Sequence, residues 1–183
     1  MKFPTVTIDC ETYMLINGNW VDSSYLLVGS DIMSKVIKEW LKNIDTIPYE
    51  EVLEYARKLK DTGYNVQALQ LLEWLIANRD KAEKKYTILC TLSSMKTSCL
   101  RQLHNPIGAI EFYKDITKED PNQKDNAPLL VSIAAAYCDI DDYEMGLRFC
   151  RKALSAFSGN ISPEVGPLIG RIKSVLGEDC FKL

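Results

Sequence analysis

The sequence contains one histidine, His104, and no Cys-x-x-Cys pair among its six cysteines. A lone imidazole leaves His-rich zinc sites and catalytic dyads without their usual groups, unless the fold brings His104 to a cysteine. It sits in Leu103-His104-Asn105-Pro106, a helix end and turn start, where a capping or solvent-facing role is expected. The nine glycines are scattered and form no phosphate-cradling loop. No apolar run reaches the roughly 20 residues of a membrane span, and the first residues lack the charged-then-apolar layout of a signal peptide. A basic surplus is missing too: 22 Lys plus Arg face 25 Asp plus Glu, for a formal charge of −3. That balance argues against a dedicated nucleic-acid binder.

The chain is otherwise ordinary. Its 183 residues are 46% hydrophobic and 26% charged, which predicts one domain with a small appendage and a core that needs no staples. Cys10, Cys90, Cys99, Cys138, Cys150 and Cys180 are expected to be reduced. Four of them fall in helical patterns and read as small apolar core residues of a cytoplasmic protein. The sequon Asn160-Ile161-Ser162 is then irrelevant. Asp9 and Glu11 share a strand face at spacing two, and on an exposed strand they read as a solvated edge.

The strand signal is confined to residues 4–28. Val6, Ile8, Cys10, Met14 and Ile16 alternate with polar residues, and Asn17-Gly18 is the dipeptide of a tight hairpin turn. The expected register sets Ile16 against Asn19, Met14 against Val21, Cys10 against Tyr25 and Ile8 against Leu27. A lone hairpin is marginal in water, so it should dock on something, with Trp20 and Tyr25 as dock or anchor. Its edges, carrying Thr5, Thr7, Thr12 and Ser23, could instead accept a strand from a partner.

After residue 29 the pattern is helical throughout. Ser30 is the expected N-cap of a helix carrying Ile32, Val36, Ile37 and Leu41. Pro48 opens the next, with Val52, Tyr55, Ala56 and Leu59 on its apolar face, and Gly63 ends it. Further helices are predicted from Val66 to about Asn78, from Ala82 to Leu103, Pro106 to Thr117, Pro128 to Cys138 and Tyr143 to Phe157. Ser162-Pro163-Glu164 announces a last helix with Leu168, Ile172, Val175 and Leu176, stopped by Gly177. The predicted organisation is an N-terminal hairpin over 1–29 and an all-helical domain over 30–183.

Helix pairs invite a search for repeats. From Pro128 to Ser158, Leu130, Ile133, Ala134, Tyr137, Tyr143, Gly146, Cys150 and Ala153 alternate large and small side chains across a helix pair. This unit resembles the tetratricopeptide repeat. A weaker copy reads Val52, Tyr55, Ala56, Leu59, Gly63, Ala68, Leu72 and Leu75, and a third reads Leu100, Ala109, Tyr113, Ile116 and Pro121. The third has Thr97 where a small Gly or Ala is usual. The small contact recurs at Ala68, Ala109 and Gly146, at intervals longer than the family's ~34 residues. The excess fits in residues 79–86 and in a polar loop over 119–126. The resemblance covers about residues 48–158 and implies a mainly α stack of antiparallel helix pairs. The last helix, with Arg171, Lys173, Glu178 and Asp179 on its polar side, would be the cap.

In that family the concave face commonly holds a peptide or a partner's helix. The resemblance places Arg57, Lys60, Ser94, Ser98, Arg101, Val131, Ala135 and Cys138 towards the groove. Some members clamp a C-terminal carboxylate with Lys, Asn and Arg. The matching positions here are Leu53, Arg57, Ser94, Ser98, Val131 and Ser132, so that clamp is absent. The small floor of Ser94, Ser98, Ala135 and Cys138 would let another backbone, or the protein's own hairpin, approach closely. The basic stretch Arg79, Lys81, Lys84, Lys85, Lys96 and Arg101 is interrupted by Asp80 and Glu83 and reads as a solvated face.

The expectation is a non-enzymatic protein-interaction module or adaptor that binds a protein or peptide partner without metal, cofactor, nucleic acid or membrane. The alternative is an accessory or regulatory subunit that docks through its hairpin. An enzyme using Asp9, Glu11 or a cysteine has no supporting constellation.

Overall fold

The computed structural model describes residues 4–42, 48–82, 85–157, 163 and 165–181. It is mainly helical with an N-terminal antiparallel sheet. The strands are β1 (Thr5–Ile8), β2 (Glu11–Ile16) and β3 (Asn19–Val21). Eight α-helices follow among the described residues: α1 (Ser30–Lys42), α2 (Tyr49–Asp61), α3 (Asn65–Ala77), α4 (Lys85–Gln102), α5 (Pro106–Glu119), α6 (Ala127–Asp139), α7 (Tyr143–Ala156) and α8 (Val165–Leu176). Helices pack as antiparallel pairs, α2 with α3 and α6 with α7 most closely, an arrangement compatible with a helical repeat. None of the described helices is long and apolar enough to cross a membrane. Contacts divide the chain into two compact units, residues 1–88 and 89–183.

In the first unit, the sheet has three strands where one hairpin was expected. Ile16 pairs with Asn19 and Met14 with Val21, as the Asn17-Gly18 turn dictates. Cys10 and Ile8 do not meet Tyr25 and Leu27. Instead the chain reverses at Asp9-Cys10, both at positive φ (50° and 67°), and Ile8 pairs with Glu11 and Val6 with Tyr13. Two adjacent residues in the left-handed region make the same kind of turn that Asn17-Gly18 makes at 51° and 71°. Leu27 forms an isolated bridge with Val21.

The sheet docks within its own unit. Trp20 is fully buried and packs edge-on against Trp40 of α1, which meets Tyr55 of α2 in the same way. Lys58 of α2 reaches the hairpin turn and donates to the carbonyls of Asn17 and Gly18 at 2.8 and 2.9 Å. Tyr25, by contrast, is 70% exposed. Ser30 is the first residue of α1 rather than a side-chain cap: its carbonyl and hydroxyl accept from the buried Gln67 amide of α3, which also donates to Ser34. The buried stripe of α1 is Met33, Val36, Ile37 and Trp40, with Ile32 turned outward. In α2 all four predicted apolar residues are buried.

The second unit has its core where α6, α7 and α8 meet, built from Leu130, Ala134, Leu147, Cys150, Val165 and Ile172 among others. Gly146 explains the closeness of α6 and α7. A Cβ there would lie 2.6 Å from Cys138 Sγ and 3.3 Å from the Ala134 carbonyl oxygen. The stretch expected as a polar loop after α5 is instead folded. Residues Pro121–Asp125 form a short 3-10 turn, Gln123 and Asn126 are buried, and the Asn126 amide donates to the Cys90 carbonyl at 2.9 Å. All six cysteines are free. Ser162 and Glu164, expected to start the last helix, lie outside the described residues, as does the sequon.

Candidate functional site

The second unit contains a cavity of about 780 Å³ whose walls come from α4, α6 and α8 and from the α4–α5 turn. Each helix contributes residues one turn apart, which places them on one face. These are Ser98 and Arg101 from α4, Val131, Ala135 and Asp139 from α6, and Leu168 and Arg171 from α8. Gln102, His104, Pro106 and Pro167 complete the rim. His104 has φ 57°, and its backbone N–H donates to the Arg101 carbonyl, so the turn that carries it is anchored to the last turn of α4.

The polar end of the cavity is one carboxylate shared by two guanidinium groups. Arg101 Nε donates to Asp139 Oδ2 at 2.8 Å and Arg171 Nη1 donates to Asp139 Oδ1 at 2.6 Å. Arg171 Nη2 also donates to the Cys138 carbonyl at 2.6 Å, and its guanidinium lies 5.8 Å from the Tyr143 ring centre. The side chains of Arg101 and Asp139 are each 26% exposed, so this pair is shielded more than an ordinary surface bridge. Burial alone would raise the Asp139 pKa. The hydrogen bonds from Arg101 and Arg171, together with their charges, outweigh it and hold the carboxyl below its usual range. Arg171 is shifted up, chiefly by its bond to Asp139. Two fixed cations against one anion leave the cavity with a positive excess, lined otherwise by Val131, Ala135, Leu168 and two prolines and by the polar Ser98, Gln102 and His104.

Of the residues singled out from the sequence, Ser98, Arg101, Val131 and Ala135 come together in this cavity. Ser94 lies one turn earlier on α4, half-buried, its hydroxyl bonded to the Thr91 carbonyl. Cys138 is fully buried and its sulfur packs at Gly146, so only its carbonyl takes part, through Arg171. Arg57 and Lys60 belong to the first unit, where they pair with Glu54 and Asp61. Sequence reasoning missed Asp139, which is one residue beyond Cys138, and Arg171, which had been given to a solvated cap. An Arg facing an Asp across the spacing of two helices was the available signal.

Other chemistry is dispersed. Burial pushes the Cys138 thiol up and that of Cys150 up to about 11, which keeps both protonated at neutral pH. Among the described residues no group of three or more His, Cys, Asp or Glu side chains could hold a metal ion. The basic stretch does not form one described patch: Lys81 lies over Trp74, Lys96 over Phe112, and Arg101 pairs with Asp139. Lys84 and the Lys85 side chain lie outside the described residues.

No family model and no curated protein matches this chain.

Proposed function

We propose that this protein is a non-enzymatic interaction module of tetratricopeptide-like design that binds a peptide or partner helix in the cavity between α4, α6 and α8. The observation that carries this reading is the convergence of Ser98, Arg101, Val131 and Ala135 on one 780 Å³ cavity. That volume lies within the usual range of ligand sites, and the lining sets the apolar walls of Val131, Ala135 and Leu168 beside the polar and charged groups of Ser98, Arg101, Asp139 and Arg171. The small contacts Ala68, Ala109 and Gly146, the first two fully buried, support the repeat reading. Such a module would work as a cytoplasmic adaptor or scaffold through rigid helix faces.

The test is selection of peptides from a random displayed library on the full chain, followed by binding to Ser98→Glu and Ala135→Glu. Both variants should keep the helical circular dichroism and lose the selected peptides. Unchanged binding by the folded variants would refute the cavity as the site.

A second reading has its own observation. Tyr25, Leu26 and Leu27 are three consecutive large apolar residues, 65–73% exposed, at the end of the sheet. They suit an accessory subunit that docks through its N-terminal strands. Loss of a partner on replacing all three by Ser, with cavity variants silent, would favour this reading.

A further inference from the structure

We infer that the occupant of the cavity is a peptide segment carrying an Asp or Glu side chain, whose carboxylate is received by the terminal nitrogens of Arg101. This deepens the proposed function and rests on it. Asp139 is engaged on both oxygens, one by each arginine. Arg171 is committed as well, with Nη1 on Asp139 and Nη2 on the Cys138 carbonyl. Arg101 is different. It engages Asp139 through Nε alone, and its two Nη groups make no hydrogen bond among the described residues. The side chain is therefore fixed in place by one nitrogen while its planar donor fork is left for another acceptor. A carboxylate is the acceptor that matches two parallel N–H groups.

Charge points the same way. The lining holds Arg101, Arg171 and Asp139, a net positive charge. An incoming anion is matched to that excess, whereas an incoming cation would face two guanidinium groups.

The rest of the lining sets what surrounds the acid. On α6, Val131, Ala135 and Asp139 succeed one another at intervals of four, so the strip runs for about 12 Å with the charge at one end. Leu168 adds to the apolar part and Pro106 and Pro167 to the rim. A ligand lying along this strip has its acidic residue at one end and apolar residues in the following one or two turns. The carboxylate is that of a side chain within the segment, because the strip and the cavity volume call for several residues around it rather than one chain end.

The experiment uses the full-length protein and individual peptides from the selection, made with amidated C-termini and a fluorescent label. Affinity is read by anisotropy for wild type, Arg101→Met and Arg101→Lys. Selected peptides should be enriched in Asp or Glu beside apolar residues. Replacing that acid by its amide should weaken binding about ten-fold or more, and Arg101→Met should do the same. The two changes together should cost little beyond either one, since they remove the same contact. Arg101→Lys, with the charge but not the fork, should recover only part of the affinity. Each variant is checked by circular dichroism, and in Arg101→Met the Asp139 carboxylate still has Arg171.

Peptides without acidic enrichment, additive losses, or binding that requires a free C-terminus would overturn the inference. If neutral peptides bind and Ala135→Glu blocks them, the cavity reading stands and only the carboxylate falls. If Ala135→Glu leaves binding intact, both fall.

Discussion

Asp139 is the residue on which the second unit's polar chemistry turns. It ties α4 to α8 through two arginines while sitting at the last turn of α6. Its carboxyl is held below its usual range, so ionised Asp139 stabilises the folded state at neutral pH. That contribution is present above the ordinary carboxylate value and is lost as pH falls through the lowered folded-state value. Asp139→Asn should therefore cost about 1–3 kcal/mol at pH 7, because two guanidinium groups lose their shared acceptor. The gap between wild type and variant should narrow as the pH drops below about 4. Urea unfolding at pH 7 and at pH 3 measures both. A gap of equal size at the two pH values would show that the pairs contribute nothing through their charge.

At the scale of the element, what was legible in the sequence follows from what local rules can decide. Both limits of α2 and the start of α5 were readable because Pro48, Gly63 and Pro106 mark ends through backbone chemistry that needs no neighbour. The face of α6 was readable only to within one residue. Ala135 plus three gives Cys138 and plus four gives Asp139, and a helix keeps both near one face. The choice is made by Gly146, which admits the Cys138 sulfur into the α6–α7 contact and leaves Asp139 to the cavity. The second turn of the sheet failed for the opposite reason. Asp9-Cys10 has no glycine, and alternation at period two continues through it, so the reversal is visible only in the positive φ angles. Trp20 and Tyr25, alike as aromatic residues of one strand region, were separated by tertiary packing alone. Trp20→Ala should cost about 3–5 kcal/mol by urea unfolding followed by circular dichroism. Tyr25→Ala should stay within about 0.5 kcal/mol. Similar costs for the two would contradict the docking of the sheet through Trp20.

For the molecule as a whole, contacts divide the chain into two compact units at residues 88 and 89, and unfolding tests whether each melts by itself. The tryptophans make this measurable. All three, Trp20, Trp40 and Trp74, belong to the first unit, so their fluorescence reports that unit alone, while circular dichroism at 222 nm sums the helices of both. The expectation is that each unit unfolds by itself, so the two signals should give different urea midpoints. Gly146→Ala provides the perturbation. Alanine would normally gain about 1 kcal/mol in a helix interior. Here its Cβ meets Cys138 Sγ at 2.6 Å and the Ala134 backbone oxygen at 3.3 Å, and the carbonyl cannot move without shifting α6. Overpacking of this kind costs about 1–3 kcal/mol and reverses the sign. The variant should lower the circular-dichroism transition of the second unit and leave the fluorescence midpoint where it was. A fluorescence midpoint that moves with it would mean that the units unfold as one. A variant more stable than wild type would mean that α6 and α7 are not held at the separation that only glycine permits.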